Sequence, residues 1–271
     1  MSDSQKQAIG SASARPRHRW LYALPECALP AQIELEGRHY TLQSTFKHDF
    51  FAATGLYRDQ ADDSLAVLKI GRQSSLFGLP LRWIGRFLAR RESAIYEQMH
   101  DLRGVPRFLG RVGDTGFLHA YVPGRPLERS DVVGDAFFDE LAQLLTALHA
   151  RGLAYVDLNK RQNVLLGEDG APYLIDFQIS LLLPAVGWRR LWPVQALLAR
   201  FQKEDWYHFL KHKRRLRPDL LTPDEAARVA RISFWIRLHR LVARPLTMLR
   251  RALLRRLRKG ESVEVAGSRA K

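Results

Sequence analysis

The chain holds one cysteine, Cys27, so an intrachain disulfide is excluded and a reducing compartment fits. No uninterrupted apolar run reaches the roughly 20 residues of a membrane-spanning helix. Residues 1–19 are rich in Ser, Gln and Ala and lack an apolar stretch of the signal-peptide kind; they are expected to form a disordered leader. No internal repeat is visible, which sets aside a repeat architecture. Acid is scarce. Between Ala226 and Gly260 there is no Asp or Glu, and 43 Lys and Arg against 28 Asp and Glu leave a formal net charge of +15. That excess is silent about fold but implies an anionic partner: nucleic acid, a membrane surface or a phosphorylated substrate.

What is present reads in two halves. From 33 to 70 apolar residues alternate as in strands, with turns at Glu36-Gly37 and in the polar stretch 58–63, so a small antiparallel sheet is expected. Ile84, Leu88, Ile95 and Met99 place a helix over 82–99, and two short strands should flank Gly113-Asp114-Thr115-Gly116. Tyr121-Val122-Pro123-Gly124 is read as a hinge. Beyond it Phe137, Phe138, Leu141, Leu144, Leu145 and Leu148 recur at helical spacing up to the stop signal Gly152. Strand-like runs 163–166 and 173–175 flank a turn at 167–170, and everything after Ser180 is expected to be helix or loop. Strands followed by helices give an α+β, two-lobed plan.

The densest chemistry lies in Tyr155-Val156-Asp157-Leu158-Asn159-Lys160-Arg161-Gln162-Asn163-Val164-Leu165-Leu166 and in Tyr173-Leu174-Ile175-Asp176-Phe177. An Asp and an Asn on a loop after a helix, then an Asp ending an apolar strand, supply a base and two magnesium ligands for phosphoryl transfer. Asp157 is read as the base or hydroxyl-orienting group, Asn163 and Asp176 as metal ligands, and Lys160 as steadying the transferred group. Lys69, on the apolar run 65–70, would reach the nucleotide phosphates. Its orienting carboxylate is read as Glu92, with Glu97 as the fallback because periodicity does not separate them. Lys47 sits where a phosphate-covering loop would lie, although Ser44-Thr45-Phe46-Lys47-His48-Asp49 carries no glycine.

At these residues the chain resembles the protein-kinase-like superfamily over about 46–180. Ile175-Asp176-Phe177-Gln178 and the Arg91-Glu92 helix are more similar to bacterial lipopolysaccharide-sugar (Kdo or heptose) kinases and atypical RIO-like kinases than to eukaryotic signalling kinases. The resemblance implies ATP and Mg2+ as cofactors. It also implies an N-lobe over 20–122 and a reduced helical C-lobe over 123–221, followed by a basic amphipathic helical tail over 222–260 and a disordered end over 261–271. Three departures stand out. Asn163 falls one residue late, so the loop must bulge, with Gln162 or Asn159 as alternative ligands; Val156 replaces an arginine; and Gln178 replaces a glycine.

No long polar activation segment and no Ala-Pro-Glu follow Asp176, which argues against a peptide platform. Instead, Trp188-Arg189-Arg190-Leu191-Trp192-Pro193 and the stretch 79–91, with Trp83 and Phe87 among arginines, suit an interface with lipid. Thr222-Pro223-Asp224-Glu225 starts a helix with a capping box, and the arginine-rich sequence after it suits anionic lipid, with RNA as the competing partner. The expectation is therefore a cytoplasmic kinase, peripheral on the inner face of the membrane, that phosphorylates a sugar hydroxyl of a lipid-linked glycan. The alternatives are a RIO-like serine/threonine protein kinase and a non-catalytic pseudokinase docked on membrane or RNA.

Overall fold

The computed structural model describes residues 19–76, 78–183 and 191–230. The expectations for the leader before Arg19, for Trp188 to Arg190, and for the basic tail and end from 231 onward lie outside the described residues. Arg19, assigned to the leader, instead opens a 3-10 turn, Arg19–Leu21.

The first half is a six-stranded sheet built from β1 (Gln32–Leu35), β2 (Arg38–His48), β3 (Ala52–Asp59), β4 (Leu65–Gly71), β5 (Phe108–Val112) and β6 (Gly116–Ala120). Every neighbouring pair is antiparallel, in the order β1-β2-β3-β4-β6-β5. Polar Ser44 to His48, read as a loop, belongs to β2, which carries two bulges where it pairs with β3; the turn is confined to Asp49–Phe51. Bulges of this kind raise local twist, so the hairpin can curl without glycine. One face packs Leu29, Tyr40, Tyr57, Leu68, Ile70 and Leu118 into a compact core.

Helix α1 (Arg82–Gln98) enters between β4 and β5 and lies against the other face, burying Gly85, Ala89, Glu92, Ser93, Ile95 and Tyr96. It seats closely: a Cβ on Gly85 would stand 2.0 Å from the Arg72 carbonyl oxygen, and one on Gly71 would stand 2.7 Å from that of Gly85. Only glycine at both positions permits that approach.

The second half begins at β7 (Gly124–Pro126), so Gly124, read as part of a hinge, already pairs with Gly167 in a three-stranded sheet with β9 (Val164–Gly167) and β10 (Pro172–Leu174). Helix α2 (Ala136–Ala150) buries the six apolar residues its period predicts, and stops where Gly152 takes a φ of 79°. Strand β8 (Leu153–Ala154) pairs with β11 (Leu181–Leu182), a correction to the expectation of helix or loop after Ser180. Helix α3 (Trp192–Leu216) and α4 (Pro223–Ala230) pack together. The capping box at the start of α4 is present: Glu225 N–H donates to Thr222 Oγ1 at 3.2 Å, and Thr222 N–H to Glu225 Oε2 at 3.0 Å. A larger core runs from Ile95, Tyr96 and Phe117 through α2 to Phe209, joining the halves around Phe177. The expected α+β, two-lobed plan is the observed architecture, with a six-stranded antiparallel sheet in the first half, helices in the second, and a cleft between them.

Candidate active site

The cleft holds a cavity of about 440 Å3 between the β2–β3 hairpin and the loops after β8 and β10. Lys69 projects into it from β4, which lies between β3 and β6; the lysine is on an interior strand. Its ammonium donates to Glu92 Oε1 at 2.8 Å and to Asp176 Oδ1 at 2.7 Å. Glu92 is 2% exposed, whereas Glu97 faces solvent, so tertiary position settles what periodicity left open.

The shifts in this trio follow from burial and charge. Burial alone would lower the Lys69 pKa, but two carboxylates outweigh it and hold the ammonium charged above its ordinary range. For Glu92 burial prevails over the single lysine and raises the carboxyl. Burial also pushes Asp176 upward, yet Lys69 outweighs it and the Asp176 carboxyl lies below its usual value. Asp176 sits at φ 63°, and its N–H donates to the Tyr96 hydroxyl at 3.2 Å. Phe177 is fully buried, edge-on to Tyr96 and Tyr155, which fixes the aspartate beside the lysine.

The late asparagine is accommodated by a 3-10 turn, Arg161–Asn163. That turn lets buried Asn163 reach the cavity wall while its Nδ2 donates to Asp157 Oδ2 at 2.9 Å. Gln162 lines the cavity as well, but Asn159 is turned away: its Oδ1 accepts from Lys211 at 2.8 Å. Asp157 Oδ2 also takes Lys160 at 2.5 Å. Burial raises the Asp157 carboxyl, with Lys160 the chief opposing influence. Lys47 lines the cavity, largely exposed and paired with Asp49 at 2.7 Å.

Oxygen donors suited to a hard cation are present. Because Asn163 donates through Nδ2, its amide oxygen is left for a ligand, and Asp176 engages Lys69 through one oxygen only. These two oxygen donors fit a magnesium ion that takes its remaining ligands from water and phosphate.

Several positioning residues escaped the sequence reading. Asp205 is fully buried on α3 and accepts the main-chain N–H of Tyr155 and of Val156, each at 2.7 Å, together with His149 Nε2 at 3.0 Å. It holds the loop in a turn where Val156, β-branched, adopts φ 69°. His212 Nε2 donates to the Leu158 carbonyl at 2.7 Å. Tyr155 donates its hydroxyl to the Ile175 carbonyl, tying the loop that carries Asp157 to the residue before Asp176. Arg91 donates to the carbonyls of Gln178 and Ser180, securing the chain after Asp176. The available signal was an acid in the apolar stripe of a helix, Leu198, Asp205 and Phe209.

The β2–β3 hairpin over the cavity is held by Arg72, which is 1% exposed. Its guanidinium donates to the carbonyls of Trp20 at 3.0 Å, Phe50 at 2.8 Å and Ser75 at 3.2 Å, and lies 3.8 Å over the Phe50 ring. Ala23 N–H donates to the Asp49 carbonyl at 2.8 Å, and His48 Nε2 accepts from Leu24 N–H at 3.2 Å. The segment around Trp20 to Leu24 therefore backs the hairpin that carries Lys47.

No family model and no curated protein matches the chain. Among solved structures it is similar to the Rio2 kinase–ADP/Mg2+–phosphoaspartate complex from Chaetomium thermophilum, with a TM-score of 0.48 and 16% identity over 70% of this chain. The chain spans 61% of the length of that one. At that level the likeness carries no functional weight, and the chemistry is read from the side chains of the cleft.

Proposed function

We propose that the protein is an ATP- and Mg2+-dependent phosphotransferase that moves the γ-phosphoryl group to an alcohol, a sugar hydroxyl of a lipid-linked glycan such as lipopolysaccharide core. The observation that carries this reading is the Lys69 ammonium held between Glu92 and Asp176 in the same cavity as Asn163, with Asp157 bonded behind it. Lys69 and Lys47 neutralise phosphate charge, and Asn163 and Asp176 hold the metal, which when bound screens the charge between phosphates. Asp157 keeps one carboxylate oxygen on Lys160 and Asn163 and turns the other to the acceptor hydroxyl. The acceptor oxygen bonds to the γ-phosphorus, the bond from that phosphorus to the bridging β-phosphate oxygen breaks, ADP leaves, and the hydroxyl proton passes to Asp157. A carboxyl raised by burial is a better proton acceptor than an ordinary aspartate.

The acceptor class is supported by the segment after Asp176. Its described part, residues 177–183, is fastened by Arg91, by Ser180 Oγ to the Tyr155 carbonyl at 2.9 Å, and by pairing of β11 with β8. Such a segment offers little edge for an extended peptide. The protein works on the cytoplasmic side, where ATP is available, peripheral to the membrane. The test is incubation with labelled ATP, Mg2+ and membranes. Label should enter the glycolipid fraction, and Asp176→Ala should lose about a thousandfold in rate while still unfolding in a single cooperative transition. Label in protein would replace the acceptor with a serine or threonine; absence of Mg2+-dependent ATP turnover would make the chain a pseudokinase.

A further inference from the structure

Helix α1 carries large apolar residues on the side away from the core. Trp83 is 65% exposed and Phe87 59%, four residues apart and therefore on one face, and Leu79, in the tight turn before the helix, is 65% exposed. Arg82, Arg86 and Arg90 are exposed along the same side. Arg82 and Arg86 share a single carboxylate, Asp114, at 3.0 and 2.5 Å, and Arg90 has no acidic partner among the described residues. The stripe is both apolar and cationic, opposite the face that buries Glu92. A contiguous exposed patch of this kind marks a contact surface.

Charge decides what covers it. The arginine-rich stretch 231–260 contains no acid, so this part of the chain is repelled. A second copy seated on the same face in a two-fold pair would oppose arginine to arginine. The occupant must be acidic and must accept Trp and Phe side chains from a convex helix without a preformed pocket. A fluid anionic headgroup layer does so, with indole and phenyl rings at the interface and guanidinium groups on lipid phosphate.

We infer that the outer face of α1, through Leu79, Trp83, Phe87 and Arg90, is a docking surface for anionic lipid bilayers. This goes beyond the phosphotransfer reading and is tested without nucleotide or glycan, so either can fail alone. The full chain is floated with vesicles of phosphatidylcholine, with and without phosphatidylglycerol. Binding is expected only with phosphatidylglycerol. Trp83→Ala/Phe87→Ala should weaken it about tenfold, and Arg90→Glu by about fivefold for each unit of charge changed. Trp83→Phe and Arg90→Lys should restore it, which separates docking from misfolding. Wild-type levels of binding by both disruptive variants would assign lipid contact to other cations and overturn the inference. So would failure of the wild type to bind, or loss that the conservative variants do not rescue.

Discussion

His119, at the end of β6, lies deep in the cleft, stacked on Tyr96 with ring centroids 4.9 Å apart and its Nδ1 2.9 Å from the Ala120 carbonyl. Burial lowers its pKa from 6.5 to about 4. The folded state therefore keeps it neutral while the unfolded chain takes up a proton, so its stabilising share is present above pH 6.5 and is lost as pH falls toward 4. Urea titrations should show about 2 kcal/mol less stability at pH 5 than at pH 7 from this residue, and His119→Gln should flatten that part of the slope. On the proposed function, Lys69→Met should lower phosphoryl transfer about a thousandfold in kcat/KM, because among the described residues Lys69 is the cation held by both Glu92 and Asp176. Lys69 and Asp176 were legible because each ends or occupies an apolar strand, where a charged residue stands out. Glu92 against Glu97 was not: both sit on one helix, and only the packed position of α1 buries the first. Arg72 left no mark at all, since its partners are carbonyl groups that any residue supplies.

Long α3 works as the spine of the loop that carries Asp157, with Asp205 on Tyr155 and Val156, His212 on Leu158 and Lys211 on Asn159. Asp205→Ala would leave two buried N–H groups unpaired and release a strained turn; a loss of about 3 kcal/mol in chemical unfolding is expected, with kcat falling more than KM rises. Helix α1 depends instead on bare backbone. Gly85→Ala should push it from β4, destabilise by about 2 kcal/mol and weaken the Lys69–Glu92 pair, seen as a lower melting temperature and reduced turnover. Among the elements, α2 was readable because its apolar residues keep a single period over the whole helix. The two-residue ladder of β11 with β8 was not, since so short a pairing exists only through its partner, and the bulges of β2 disguised a strand as a polar loop.

At the scale of the molecule the two halves meet across the cleft through a continuous core and through the Lys69–Asp176 ion pair, which joins strand β4 to the loop after β10. A ligand that spans both should bind the folded chain alone. ATP with Mg2+ at a hundredfold over its dissociation constant should add about 2.7 kcal/mol of stability, visible as a thermal shift, and Asp176→Ala should lose the Mg2+-dependent part. The order of sheet then helices, and with it the cleft, was foreseeable from the change of period along the chain. The anchorage of the segment before β1 was not, because it depends on one buried cation meeting two distant stretches of backbone, at Trp20 and Phe50, as well as its own neighbour Ser75.

That cation has a kinetic consequence. Because Arg72 fastens the turn of the β2–β3 hairpin above the cavity to main chain on several sides, lifting that hairpin would have to break these hydrogen bonds together. Unbuckling it with Arg72→Met should hasten ADP departure in stopped-flow displacement while acceptor affinity stays where it was.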